Sequence, residues 1–381
     1  MLAQIFAPGG PDCSRETARA CVADLYEAFH KAAPIVGEIT GLEGEAKRAT
    51  RVQAVVVDRP GWAYGASQSL KEMSARAAQR GCDMGKEALS SAAVAVGTTA
   101  MARMILGQFD PYYVDPYYAG TQPSPRRHRS DSERVAEDLS ALDSRAADVP
   151  PANFPSADAS SRSYGRLLLV APNVCDFIQR YNLDQKDVCL WVCAHEFTHA
   201  VQYQAAPWLA DFIVDHFAYI LAHIDDDQVL ESDSARRLMA VMSVLEGHAQ
   251  YVMNAVGASH MPSKKRIIDA MGRKRHEGGA LKKRIMKMFG FDQKAAQYRR
   301  GDAFVQAVID KAGRDCLNRV WQSGYAMPTL QELDDPQAWI DRMAASCSSG
   351  RVSSSSGGAP VEIAVPAASA KDSLSAEDSR R

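Results

Sequence analysis

The stretch QKDVCLWVCAHEFTHAVQYQAA, residues 185–206, decides how the rest of the chain is interpreted. Asp184 before it is a candidate N-cap and Pro207 follows it, so the pattern predicts one helix between them. From position 188 to 201 the only charged side chain is Glu196, apart from the histidines if they are protonated. A helix without charge on any face is typical of a protein interior. A lone carboxylate buried there needs a partner.

This helix carries the pattern H-E-x-x-H. His195 and His199 are one turn apart on one face, so both imidazoles can bind one tetrahedral zinc ion. Glu196 is rotated about 100° from His195, so its carboxylate can stand beside the metal and take a proton from zinc-bound water. The pattern predicts a zinc-dependent hydrolase, with Zn²⁺ as its cofactor and Glu196 as its catalytic base. The competing interpretation is a core helix whose histidines only form hydrogen bonds.

A catalytic zinc usually has three protein ligands, so a third ligand is expected downstream. Glu246 is favoured because it lies within a second, nearly uncharged helix predicted over residues 234–257. The next residue, Gly247, costs about 1 kcal/mol in a helix interior, which is understandable if another backbone or the metal approaches closely. His248 points roughly 200° away from Glu246 on a regular helix, so one ion cannot bind both. His248 and Tyr251 are candidates for a group behind the ligands or for an oxyanion donor. The remaining ligand candidates are Asp211, Asp215, His216, His223 and the acidic run 225–227.

Composition narrows the range of partners. The chain has 381 residues, 46% of them hydrophobic, and a formal net charge of −2, which argues against a dedicated nucleic-acid binder. The N-terminus has no secretory signal pattern and no CxxC occurs, so we expect reduced thiols and a cytoplasmic protein. The most apolar window, residues 91–106, is short and carries Arg103, which favours a buried helix over a membrane span. Cys189 and Cys193 could share a metal, but small buried hydrophobes are the favoured interpretation.

Changes in composition and in hydrophobic pattern along the chain predict four parts. Residues 1–111 form an N-terminal, mostly helical part that includes a helix near 13–32 and a strand near 51–58. Residues 112–163 are rich in Pro, Ser, Asp and Arg and are predicted to be a disordered insertion. They act either as a lid or docking segment or as a neutral linker. Residues 164–345 form the helical core with the metal site, and residues 346–381 form a disordered Ser/Ala-rich tail.

Seven segments of the chain are distinctive when taken together. They are VVVDRPGWA (55–63), ILGQFDPY (105–112), GRLLLVAPN (165–173), LWVCAHEFTHAVQY (190–203), APWL (206–209), SVLEGHAQYVMNAVG (243–257) and AQYRRGDAFV (296–305). With these segments the chain resembles a family of zincin-like metallopeptidases that has been associated with the biosynthesis of a deazaflavin coenzyme. The resemblance implies a mainly helical (α+β) zincin-like fold, with a small β-sheet beside the HExxH helix. It also implies His195 and His199 as ligands, Glu196 as the base and Glu246 as the third ligand.

Two further expectations concern partners. In zincin folds a strand beside the active-site helix can pair with an extended peptide, and GRLLLVAPN, residues 165–173, is predicted to be that strand. The substrate is then an unidentified peptide or protein, and the oligomeric state stays open.

Residues 262–290 hold ten Lys/Arg against two acids, and a solvated helix face is favoured there over contact with lipid or nucleic acid. The alternatives to a peptidase are a catalytically silent binding protein and a hydrolase of a non-peptide amide.

Overall fold

The computed structural model describes residues 10–81, 98–99, 101–113, 165–223, 225–226, 228–276 and 291–348, with backbone only for 275–276, 291–299 and 347–348. The strands are β1 (Gln53–Val57), β2 (Gly107–Asp110) and β3 (Arg166–Val170). The helices are α1 (Arg15–Thr40), α2 (Glu43–Ala49), α3 (Arg59–Gln79), α4 (Ala171–Tyr181), α5 (Gln185–Ala205), α6 (Leu209–Ala222), α7 (Asp233–Ala255), α8 (Lys264–His276), α9 (Phe291–Ala312), α10 (Arg314–Leu317), α11 (Leu330–Asp334) and α12 (Pro336–Ser348). Short 3₁₀ turns cover Val229–Glu231 and Asn318–Trp321.

The helix carrying the HExxH pattern forms as its sequence predicts. The Asp184 side chain accepts a hydrogen bond from the Asp187 backbone N–H at 2.9 Å, which satisfies a donor that the first helical turn leaves open. The helix ends at Ala205, just before Pro207. α5 is buried along most of its length, so the prediction from its lack of charge is confirmed.

The sheet has three strands in the order β1-β3-β2. β3 pairs in parallel with β1 and antiparallel with β2, and its residues are buried throughout. The prediction that the segment 165–173 pairs with a substrate peptide is therefore wrong, because both edges of β3 are already occupied. β2 is the edge strand next to the HExxH helix, where it packs against α5.

Two apolar cores position α5 and α7. The first surrounds α5 with residues of α1, α4 and the sheet, and includes an edge-to-face contact between Phe29 and Phe197. The second packs α7 against α9 and the C-terminal helices around Phe304 and Trp339. Cys193 is buried and its thiol donates to the Leu25 carbonyl oxygen at 3.4 Å, as expected of a small core residue.

Several expectations fall wholly or partly outside the described residues. These are the insertion from 114 onward, the tail from 349, the end of the basic stretch from 277, and much of the window 91–106. The proposed division into four parts stays a prediction. Within the described ranges, no helix combines the length and apolar character needed to cross a membrane. The mainly helical architecture with a small sheet is confirmed.

Candidate metal centre

Three of the predicted ligand residues converge. His195 and His199 on α5 and Glu246 on α7 each offer a ligand atom, and these atoms lie within 4.8 Å of one another. His195 Nε2 is 3.7 Å from one carboxylate oxygen of Glu246, and His199 Nε2 is 3.9 Å from the other. Ligands about 2.0–2.2 Å from a tetrahedral zinc lie about 3.3–3.6 Å apart, so a small contraction would bring these donors to zinc-binding distance. No other group of three such side chains lies this close within the described part of the chain.

A close backbone contact lies next to Glu246. α7 and α9 cross at Gly247 and Gly301, where a Cβ atom on either glycine would overlap the backbone of the other helix. The Gly301 position would collide with the Ser243 carbonyl, one turn before Gly247. The expectation that another backbone approaches Gly247 is confirmed. Glycine is needed here because only a residue without Cβ lets the two helices come this close.

A buried amide lies behind His199. His199 Nδ1 is 2.9 Å from Gln202 Oε1, and Gln202 Nε2 donates to the Leu245 carbonyl oxygen at 2.9 Å. Gln202 Nε2 is also 3.2 Å from His248 Nδ1. Burial, followed by the nearby His199, lowers the pKa of His248 to about 3. His248 is therefore a neutral ring, and it lies behind the candidate ligand His199, between Gln202 and Trp321.

Glu196 is buried against β2, next to the candidate ligands His199 and Glu246. Burial raises the pKa of Glu196 to about 7. The nearby His199 opposes this increase, whereas Glu246 adds to it. The Phe109 backbone N–H donates to Glu196 Oε2 at 3.0 Å, which favours the charged form. A Cβ atom on Gly107 would lie 2.7 Å from Glu196 Cγ, so only glycine lets β2 approach α5 this closely.

The far end of β2 is anchored by a buried carboxylate. Asp110 is completely buried and accepts hydrogen bonds from Ser69 Oγ at 2.6 Å and from Arg166 Nε at 3.0 Å. The Tyr112 backbone N–H donates to its other oxygen at 3.1 Å. These contacts join β2 to β3 and α3, and so hold the neighbouring Phe109 beside Glu196.

The other candidate ligands have different partners. Asp211 and Asp215 form ion pairs with Arg80, at 2.7 and 2.6 Å. His216 makes an edge-to-face contact with a phenylalanine ring one turn earlier, and burial lowers its pKa. His223 lies at the end of α6, with Nδ1 2.9 Å from the carbonyl oxygen one turn earlier. None of them joins the cluster among the described residues.

Tyr251 is half-buried and packs on both apolar cores, and its suggested oxyanion role stays a prediction.

Sequence reasoning missed the contributions of Gln202, Gly107 and Phe109. Gln202 had a signal, since it follows His195 by seven residues and shares its helix face. Gly107 and Phe109 lie in a strand of only four residues, which is too short to show the alternation of apolar and polar residues that identifies a strand in a sequence.

Comparison with known proteins agrees with this geometry. A family model of zincin-like metallopeptidases matches residues 2–340. No curated protein sequence is detectably similar. Among solved structures, a candidate hydrolase with a novel fold from Chloroflexus aurantiacus superposes with a TM-score of 0.57 at 22% identity, over 90% of this chain and 95% of that one. At this identity the likeness supports the fold alone. The association with a deazaflavin coenzyme stays a prediction.

Proposed function

Because the chain belongs to the zincin-like metallopeptidase family, we propose that it is a zinc-dependent hydrolase that cleaves peptide bonds. The observation that carries this proposal is the convergence of His195, His199 and Glu246 within 4.8 Å, directly beside the buried Glu196. Two imidazole nitrogens and one carboxylate oxygen are a donor set that catalytic zinc takes in hydrolases. The three side chains are partly exposed, so a substrate can approach them.

Bound by these side chains, zinc would polarise a substrate carbonyl and make water easier to deprotonate. Glu196 is the residue suited to move the proton. Its pKa of about 7 leaves a substantial carboxylate fraction at neutral pH, and a base is most effective when its pKa is near the working pH. The Phe109 N–H holds Oε2, which leaves Oε1 to take a proton from the attacking water and pass it to the leaving nitrogen.

The edge of β2 supports a peptide as the substrate. Val170 N–H donates to the Leu106 carbonyl, and the antiparallel register pairs Gln108 with Leu168. Hydrogen bonding alternates along such a strand, so the main-chain groups of Gly107 and Phe109 point away from β3. The bond from Phe109 N–H to Glu196 indicates that this side faces the site. The Phe109 N–H is already bonded to Glu196, so an extended peptide beside the base and the candidate ligands would pair with the other main-chain groups of this edge.

The test is a comparison of cells that carry the wild-type protein or Glu196→Gln. We expect new protein N-termini in wild-type cells that are lost with the variant, because removing a general base lowers turnover by roughly 10²- to 10⁴-fold. Purified Glu196→Gln should still bind zinc. The matched control is Glu231→Gln, which changes the same side chain at an exposed position away from the site.

Identical N-termini in wild-type and Glu196→Gln cells, with zinc bound to both proteins, would contradict the peptidase proposal. That result would favour a zinc-stabilised binding protein or a hydrolase of a non-peptide amide.

A further inference from the structure

Gln202 occupies an unusual place for a polar side chain. It is completely buried between α5 and α7. There it contacts the candidate ligand His199 and two groups of α7. Its Oε1 lies 2.9 Å from His199 Nδ1, and its Nε2 lies 2.9 Å from the Leu245 carbonyl oxygen and 3.2 Å from His248 Nδ1. Leu245 precedes Glu246 directly and His248 follows it by two residues. The amide therefore connects one candidate ligand to the helix segment that carries another.

The chemistry of these partners determines how the amide is oriented. A backbone carbonyl can only accept a hydrogen bond, so the NH₂ group of Gln202 must face Leu245. The amide oxygen must then face His199, and because that oxygen only accepts, the proton of the neutral His199 ring must lie on Nδ1. The lone pair is left on Nε2, which is the atom that faces Glu246 at 3.9 Å.

The second hydrogen of the amide also has a partner in this orientation. It points to His248 Nδ1, which accepts because the amide nitrogen only donates. Rotating the amide by 180° would place its oxygen against the Leu245 carbonyl oxygen, where neither atom can donate. This backbone acceptor on α7 thus determines which nitrogen of His199 on α5 carries the proton.

We propose that Gln202 is a positioning residue that holds His199 in the tautomer with Nε2 free to bind a metal. The inference rests on the proposed function, since it takes His195, His199 and Glu246 as the zinc ligands. Groups that accept from the second nitrogen of a metal-binding histidine orient the ring and raise its basicity, and their loss typically weakens metal binding by 10- to 100-fold.

The experiment measures zinc affinity of the full chain by competition with a chromophoric chelator. Gln202→Met keeps the approximate size of the side chain and removes every hydrogen bond, and we expect affinity to fall by roughly 10- to 100-fold. Gln202→Glu keeps an oxygen facing His199 Nδ1, so its affinity should exceed that of Gln202→Met by roughly tenfold. The control is Gln306→Met, which removes an exposed amide whose Nε2 donates to Asp310 Oδ1 at 2.8 Å.

Thermal melting of the metal-free variants separates positioning from a general effect on folding. Gln202→Glu places a buried carboxylate against the Leu245 carbonyl oxygen, which can only accept, so it should melt below Gln202→Met. Zinc affinity and melting temperature should therefore rank the two variants in opposite orders. The same order in both measurements, or zinc binding by Gln202→Met equal to that of wild type, would overturn the inference.

A measurement on the wild-type protein keeps the inference testable if a variant fails to fold. Two-bond ¹⁵N–¹H correlation spectra of protein labelled at histidine report which ring nitrogen is protonated, and His199→Gln identifies the signal. We expect the neutral His199 ring to carry its proton on Nδ1, and a proton on Nε2 would contradict the inference. If wild type itself does not bind zinc, the proposed function fails first. If wild type binds and Gln202→Met binds equally, only the role of Gln202 fails.

Discussion

The two sides of α5 that meet at the site are held in different ways. On the ligand side, defined by His195, His199 and Glu246, the side chains are partly exposed, and the buried amide of Gln202 contacts His199 and the α7 backbone next to Glu246. On the base side, defined by Glu196 and β2, a buried carboxylate is held by a backbone N–H of the edge strand. The ligand side depends on how α5 and α7 pack together. The base side depends on the position of a short strand.

Under the proposed function, zinc binding and proton transfer would therefore be supported by separate parts of the fold. Changes in α7 or at its crossing with α9 should weaken metal binding. Changes in β2 and its anchor should leave the ligands in place while they disturb Glu196. Four experiments test that separation, beginning with the one expected to have the largest effect.

Glu246→Ala should lower zinc affinity by more than the roughly 100-fold expected for a group behind the ligands. The reason is that it removes one of three converging donors. His248→Ala is the matched comparison, because His248 lies on the same helix but faces Gln202. Competition with a chelator measures both variants. Loss of zinc only in the histidine variant would contradict this choice of third ligand.

Asp110→Asn should lower the free energy of unfolding by about 3–5 kcal/mol, because it leaves the buried Arg166 without its charged partner. Zinc affinity should change little, since Asp110 is on the base side. Urea unfolding of the metal-free protein measures the effect. The control is Asp269→Asn, which breaks an exposed pair with Lys265 and should cost less than about 1 kcal/mol. A large loss of zinc affinity in Asp110→Asn would show that the two sides are not separable.

The buried Glu196 should make the metal-free protein less stable as the pH rises. Its pKa is about 7 when folded, against an ordinary value of 4.5, so between these values the folded state binds more protons than the unfolded state. Stability is therefore lost as the pH rises from about 4.5 to about 7, by about 3 kcal/mol at 1.36 kcal/mol per unit. Glu196→Gln should abolish this loss, and Glu231→Gln should keep it. Parallel pH profiles for wild type and Glu196→Gln in urea unfolding would contradict the prediction.

Gly247→Ala should cost about 2 kcal/mol, because the added methyl group overlaps the Gly301 backbone and forces α7 and α9 apart. Zinc affinity should fall as well, since Glu246 moves with α7. Gly272→Ala is the control, since a Cβ atom there meets nothing within 4 Å, and it should be neutral or stabilise α8 by up to about 1 kcal/mol. Unchanged zinc affinity in Gly247→Ala would show that the crossing does not position Glu246.

Local chemistry explains which features could be predicted from the sequence. The lack of charge around Glu196 predicted a buried helix, and the cap at Asp184 predicted where it begins, because both depend on neighbouring residues. Gly247 predicted a close backbone approach, since glycine within a helix has few other physical explanations. The convergence of Glu246 with the histidines followed from its isolation in a second apolar helix.

Features that depend on distant pairing could not be predicted in this way. The apolar run 165–173 predicted a strand, but its hydrophobicity did not indicate whether the strand lies at an edge or at the centre. The strand that forms, Arg166–Val170, is buried throughout, as a central strand requires, and α4 begins already at Ala171. The partners of Gln202 depend on the packing of α7 against α5, and the pattern of α5 contains no information about the Leu245 carbonyl.

The most direct test of the account is a crystal structure of the zinc-loaded protein, with anomalous diffraction recorded on both sides of the zinc absorption edge. We expect one strong anomalous peak bound by His195 Nε2, His199 Nε2 and the carboxylate of Glu246, with Glu196 beside the ion and not bound to it. A zinc ion bound elsewhere, or a site in which Glu246 is replaced by another residue, would contradict the central claim.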